Sequence, residues 1–219
     1  MIHEIIPVGP LQCNCSIIGD PATHEAMIID PGSDADQILE KLVGHKLKAK
    51  LIVITHGHID HVGGAMSLRK RTGACVLMNQ SDEDLLRMLD VQAAWLGLQS
   101  PGTVKIDSHI QDGSCLKIGN IEALAIHTPG HTEGSICLLF SAEKTLIAGD
   151  TLFAGGIGRT DLPGGSHEKI LSSLQRCILP LPDDIVVIPG HGPSTTIGNE
   201  KKYNPFLSNF QGRSFIDGY

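Results

Sequence analysis

Short apolar runs alternate with turn signals along the whole chain. AMIIDPG reads as a strand ending at Asp30 in a Pro-Gly turn, and Ser33 then reads as the N-cap of a helix through ADQILEKLVGH, with Asp36 in its first turn. KLIVITHGH is a buried strand, with four apolar residues in a row, running straight into a cluster of histidines. GGAMSLRKRTG predicts a helix opening just after that cluster, and ACVLM a strand. Residues 82–97 predict a further helix, with Leu85, Leu86, Leu89 and Trp95 as an apolar face packed into the core.

The second half repeats the rhythm. SCLKIG and IEALAIHTPG predict a hairpin turning at Gly119-Asn120, followed by strands at SICLLFS and KTLIAGD. A helix over HEKILSSLQRC and a strand at DIVVIPG come next. Each half thus reads as strands followed by helices, an α/β pattern that implies two sheets packed face to face with helices outside. No linker, low-complexity tract or close repeat interrupts it, so a single domain over residues 1–219 is expected.

Composition narrows the classes. With 41% apolar and 19% charged residues the chain is globular rather than disordered, and 219 residues suffice for a sizeable core. A net charge of −7 argues against nucleic acid or an anionic membrane as partner. No apolar run approaches the roughly 20 residues that span a bilayer. The start, MIHEIIPVGP, lacks the basic and apolar stretches of a secretory signal, so a cytoplasmic location is expected. In that setting the six cysteines are expected to be free, buried thiols. The pair Cys13 and Cys15 is expected to point to opposite faces of a strand, and so to be packing side chains rather than a metal or redox site.

The candidate chemistry lies where strands end. LIVITHGH, IHTPGH, LIAGD and VVIPGHG each run from an apolar strand directly to a His or Asp, usually beside a Gly. THGHIDHVGG supplies His56, His58, Asp60 and His61; the later strand ends supply His131, Asp150 and His191. A histidine taken singly is more often a satisfied structural side chain. Five His and two Asp carried to one rim of a rigid sheet, however, are enough for two metal ions if one carboxylate is shared. Imidazole with carboxylate suits zinc, iron or manganese rather than calcium.

The order H-x-H-x-D-H, then H, D and H, resembles the metallo-β-lactamase superfamily over nearly the whole chain. The resemblance implies an αβ/βα four-layer sandwich of two mixed sheets with helices outside. It implies that His56, His58 and His131 bind one divalent ion, most readily zinc, that Asp60, His61 and His191 bind a second, and that Asp150 bridges them. Water activated between the ions would then be the nucleophile, with Asp60 in a second role orienting it.

Within the superfamily, GDTLFAGGIGRTDLPGG and PGHGPSTTIGNEKKYNPF look like the hydroxyacylglutathione hydrolase (glyoxalase II) branch. That implies hydrolysis of a thioester, with a glutathione conjugate as the small-molecule partner. The chain departs from the branch in its glutathione contacts. Only Gly192 to Tyr219 follow His191, where glyoxalase II carries a helical domain. A G-K-x-Y stretch becomes Gly158-Arg159-Thr160-Asp161, and GHGPST replaces a motif with tyrosine. Arg159 is the candidate fork for a substrate carboxylate, with an ion pair to Asp161 as its structural alternative. Thr132 and Glu133 are candidates for support behind the site, and His127 is either a further one or, as favoured, a satisfied structural histidine; His3, His24, His45, His109 and His167 show no constellation. Rival chemistries on the same residues are a persulfide dioxygenase with one iron on His56, His131 and Asp150, and hydrolysis of another ester, a lactam or a phosphodiester.

Overall fold

The computed structural model describes residues 1–207, and within them the apolar runs pair into two six-stranded sheets. The first comprises β1 (Ile2–Val8), β2 (Cys13–Gly19), β3 (Glu25–Ile29), β4 (Lys48–Val53), β5 (Cys75–Met78) and β6 (Ser108–His109), in that spatial order. Its β1–β3 part is antiparallel and its β3–β6 part parallel. Helices α1 (Ala35–Gly44), α2 (Ile59–Val62), α3 (Ala65–Thr72), α4 (Glu83–Arg87) and α5 (Leu89–Leu96) belong to this half.

The second half contributes β7 (Cys115–Ile118), β8 (Ile121–His127), β9 (Ile136–Phe140), β10 (Thr145–Gly149), a small ribbon of β11 (Leu152–Phe153) and β12 (Gly156–Ile157), α6 (His167–Ser173), β13 (Val186–Pro189), β14 (Thr195–Thr196) and α7 (Ile197–Tyr203). The second sheet runs β14-β13-β10-β9-β8-β7, parallel only between β10 and β13.

Three apolar layers hold these elements together. Between the sheets, Ile18, Met27, Ile29 and Val53 meet Ala123, Leu138, Phe140 and Ile147. On the outer face of the first sheet, Ile17, Ile28 and Ile52 meet Ile38 of α1, Leu68 of α3 and Leu89 of α5. On the outer face of the second, Leu139, Leu146 and Val187 meet Ile170 of α6 and Ile197 of α7. Neighbours such as Ile17 and Ile18 alternate between layers, so a strand buried on both sides reads as an unbroken apolar run. This is the αβ/βα metallo-β-lactamase sandwich, with both sheets mixed.

Several local expectations change. Ser33 does not cap α1; Asp34 precedes the helix with φ 53°, and its carboxylate instead accepts the Gly9 N–H at 2.7 Å. The segment 82–97 is two helices broken at Met88, and Trp95 is 62% exposed rather than packed in the core. HEKILSSLQRC starts as α6, capped by Ser166 on the Lys169 N–H, and widens into a π turn over Leu174–Ile178. Cys75 and Cys115 are exposed. Cys13 and Cys15 are both buried in one core layer, because residues two apart on a strand share a face.

Candidate metal centre

The four strand ends converge as expected. β4 ends two residues before Thr55, from which His56 and His58 follow directly, and the turn of α2 carries Asp60 and His61. The loop after β8 brings His131, the end of β10 brings Asp150, and the end of β13 brings His191. Close approach requires glycine here. A Cβ on Gly190 would lie 2.1 Å from Asp150 Oδ1 and 2.8 Å from the His61 ring, and Gly149 turns the chain with φ 48°.

Among the described residues three ligand groups overlap: two consist of His and Asp alone, and the third joins the Cys13 thiol to His61 and His191. His56, His58 and His131 place ring nitrogens within 4.8 Å of one another, and so do His56 and His61 with a carboxylate oxygen of Asp150. His58 Nδ1 lies 3.0 Å from His131 Nε2, and His61 Nε2 lies 3.3 Å from His191 Nε2. Asp60 Oδ2 approaches His191 Nε2 to 3.1 Å. Asp150 stands between the groups, with Oδ1 3.4 Å from His61 Nε2 and Oδ2 3.6 Å from His131 Nε2.

Hydrogen bonds behind the rings fix which nitrogen faces inward. The Nδ1 of His61 meets Asp30 Oδ2 at 2.9 Å, that of His131 the Arg159 carbonyl at 2.8 Å, and that of His191 the Leu11 carbonyl at 3.0 Å. Thr55 Oγ1 donates to Asp30 Oδ2 at 2.7 Å and lies 3.1 Å from His56 Nδ1, which is left to donate to it. Four imidazoles are thereby held with Nδ1 committed outward and Nε2 turned toward the centre, the orientation typical of metal-binding histidine. His56 Nε2 and Asp150 Oδ1 are buried with no hydrogen-bond partner. Orphaned buried acceptors are costly, and converging lone pairs of this kind fit a bound cation.

Electrostatics separates the two groups. Burial, reinforced by the neighbouring rings, pushes His56 well below the usual histidine range and His58 down to about 3. His61 and His191 go the other way. Burial opposes their charge, but the surrounding acids outweigh it. The thiol of Cys13, 3.5 Å from His61 Nδ1, is pushed up to about 12 by burial and is neutral at pH 7, so Asp150, Asp30 and Asp60 carry that effect on His61. Burial would raise Asp60, yet His61 and His191 hold it well below the usual carboxylate range.

Three supporting residues escaped the sequence reading. Asp30, 1% exposed at φ 53°, accepts from Thr55 N–H, Thr55 Oγ1 and His61. It obeys the same strand-end rule as Asp150, which was the signal available. Asp82, also 1% exposed, accepts from Gly57 N–H at 2.8 Å, Gly134 N–H at 2.6 Å and Thr132 Oγ1 at 2.7 Å, joining the loops of His58 and His131. Gln92 of α5 accepts the Ile59 N–H that opens α2. His127 is structural, bonded to the Glu133 carbonyl, while Glu133 itself pairs with Lys169.

A cavity of about 350 Å³ opens from His58, Asp60, His131 and Asp150 toward solvent. Its walls are Leu11, Leu85, Met88, Trp95, Leu96 and Leu162. Arg159 lies at its rim with the guanidinium held by both oxygens of Asp161, at 2.8 and 2.7 Å. A larger cleft of about 550 Å³, between α4–α5 and the 102–109 segment, contains no such group of converging ligands; its His109 and Arg87 both pair with Glu83.

The family model of the metallo-beta-lactamase superfamily matches residues 8–191. The hydroxyacylglutathione hydrolase GloC of Haemophilus influenzae is 43% identical over 207 residues, covering 94% of this chain and 97% of that one. Among solved structures, the BLEG-1 B3 metallo-beta-lactamase superposes with a TM-score of 0.88 at 37% identity, over 94% of this chain and 100% of that one. TTHA1623 in a di-iron-bound form superposes at 0.84 with 32% identity, over 93% and 100%. Family model, relatives and fold agree: the chain belongs to the metallo-β-lactamase superfamily.

Proposed function

We propose that this protein is a hydrolase that uses two divalent metal ions to cleave a thioester. His56, His58 and His131 would hold one ion, Asp60, His61 and His191 the other, with Asp150 shared between them. The observation that carries this is the pair of orphaned acceptors, His56 Nε2 and Asp150 Oδ1, at the meeting point of imidazoles whose outer nitrogens are already committed. Bound there, such ions polarise a carbonyl oxygen and bring the ionisation of water into the neutral range. Zinc suits the donor set best; iron, as in the related TTHA1623 form, and manganese use the same donors.

The chain's own groups then have separable tasks. Asp60 is ionised at neutral pH and partly exposed in the cavity, so its carboxylate is placed to accept a hydrogen bond from attacking water. Asp30, Thr55 and the carbonyls of Leu11 and Arg159 hold the rings in one tautomer and orientation. Among the described residues no Lys or Tyr lines the cavity, and none in the sequence lies within three residues of any of the seven, so no obvious general acid stands ready for a poor leaving group. A thiolate needs little such help, since a thiol has a pKa of about 8.5. Arg159 lies at the rim with its fork paired to Asp161, where a small-molecule substrate would pass it. The relative named for hydroxyacylglutathione makes that conjugate the first substrate to try.

The test is turnover of the metal-loaded protein on thioesters, including a hydroxyacylglutathione, before and after removing metal with a chelator. Chelator-sensitive thioester hydrolysis is expected. Oxygen consumption with a persulfide, and none of the thioesters cleaved, would overturn the reading.

A further inference from the structure

The cavity that opens from the metal groups has a polar floor and an apolar wall, and the wall is unusually bare. Trp95 is 62% exposed, Leu96 47% and Leu11 42%, on the face where α5 and the turn at Leu11 border the site. Met88, at the break between α4 and α5, and Leu162 complete the surface around Trp95. Tryptophan buries the most apolar area of any side chain, so leaving one in water beside a reactive centre forgoes stability unless something covers it during the reaction.

Charge points the same way. Arg159 is the sole cation among the described residues lining the cavity, and its fork is filled by Asp161. Arg159 in turn holds the Asp161 carboxyl down to about 2, so the rim pair is ionised and net neutral at pH 7. A peptide-like substrate arm with free carboxylates finds no unpaired positive partner on this wall, whereas an alkyl or aryl arm finds indole, thioether and leucine surfaces.

We propose that Trp95, Met88 and Leu162 form a specificity wall that binds an apolar arm of the substrate, making the preferred substrates thioesters with an alkyl or aryl group rather than small polar acyl conjugates of a charged peptide. This rests on the thioester reading above for the bond that is cleaved. The arm is on the acyl side or on the thiol side of that bond; the chemistry of recognition is the same, and the two are separated by varying one side at a time.

The chain contains one tryptophan, so fluorescence excited at the red edge, where the two tyrosines do not absorb, reports on Trp95 alone. The first measurement titrates metal-loaded protein with unreactive thioethers bearing methyl, butyl, hexyl or benzyl groups. Saturable changes in emission that tighten with arm length are expected, and they are read without any turnover. The second compares kcat/KM across acetyl to hexanoyl thioesters of one thiol, and across thiols of one acyl group. In one of the two series kcat/KM is expected to rise about tenfold or more from the shortest to the longest arm. Trp95→Ala is expected to flatten that rise, and Trp95→Phe to keep most of it. Emission changes with no thioester turnover would uphold the wall while sinking the thioester reading. Turnover independent of arm length in both series, with no change in emission, would overturn the wall and leave the thioester reading standing. A concentration-dependent dimer that Trp95→Ala dissociates, with arm length still immaterial, would overturn it too by assigning the patch to a second copy of the chain.

Discussion

His61 Nδ1 lies 2.9 Å from Asp30 Oδ2, with both side chains buried, and this contact decides which nitrogen of His61 faces the metal centre. The same Asp30 oxygen accepts from Thr55 Oγ1, which in turn stands against His56 Nδ1. One carboxylate therefore orients a ligand in each of the two groups.

Asp30→Asn keeps the volume but turns an acceptor oxygen into a donor facing the Thr55 hydroxyl and the His61 N–H. Metal affinity is expected to fall about 10–100-fold, as it does when carboxylates behind metal-binding histidines are removed. The metal-free protein is expected to lose about 1–3 kcal/mol from unsatisfied buried donors. Metal titration and denaturant unfolding measure the two effects; unchanged metal affinity would show that Asp30 serves folding alone.

The two metal groups differ in their response to pH. His61 and His191 have folded pKa values raised above the ordinary histidine value, so at neutral pH the metal-free protein retains protons that an ion must displace. Affinity of the Asp60–His61–His191 group should rise with pH through the neutral range, with proton release on binding. His56 and His58 are depressed, hence already neutral at pH 7, and their group should hold its ion to lower pH. Calorimetric titrations in buffers of different ionisation enthalpy would show two events, only one releasing protons. Equal release by both would contradict the assignment.

Asp82 ties the loop of His58 to that of His131 through three donors. Asp82→Ala strands two backbone N–H groups and leaves the Thr132 hydroxyl only Ser135, and is expected to cost about 2–4 kcal/mol. Because the loops carry His58 and His131, metal affinity should fall along with stability. A variant that is destabilised but binds both ions as tightly as wild type would reduce Asp82 to a packing role.

Leaving-group chemistry gives a further expectation. With no Lys or Tyr among the described residues lining the cavity, thioesters should be cleaved much faster than amides or lactams of the same acyl group. Comparing kcat/KM across such a matched series tests it, and a preferred amide or lactam would require a proton donor that the site does not show.

The strand ends were legible because they follow a simple rule: a buried strand announces itself as an apolar run, and a polar residue directly after it lies at the sheet rim. His56, His131, Asp150 and His191 all obey it. Asp30 obeys it as well, but the Pro-Gly turn behind it offered a sufficient local explanation. Asp82 was illegible because its partners, Gly57 and Gly134, are brought to it only by the packing of the two sheets. Trp95 was misplaced for a different reason. Trp95 falls six residues after Leu89, off the apolar face of a helix, and in the structure it lines the cavity while Leu89 is buried in the core. Cys13 and Cys15 follow the two-residue period of a strand, which sets both on one face and brings Cys13 against His61.

The claim that seven side chains hold two ions on one shared carboxylate is tested most directly by counting metal per chain in wild type and Asp150→Ala. Wild type is expected to carry about two ions per chain. Asp150→Ala should carry one or fewer and lose turnover, with an unchanged far-ultraviolet circular dichroism spectrum. A folded Asp150→Ala protein with a full metal complement and wild-type turnover would contradict the account.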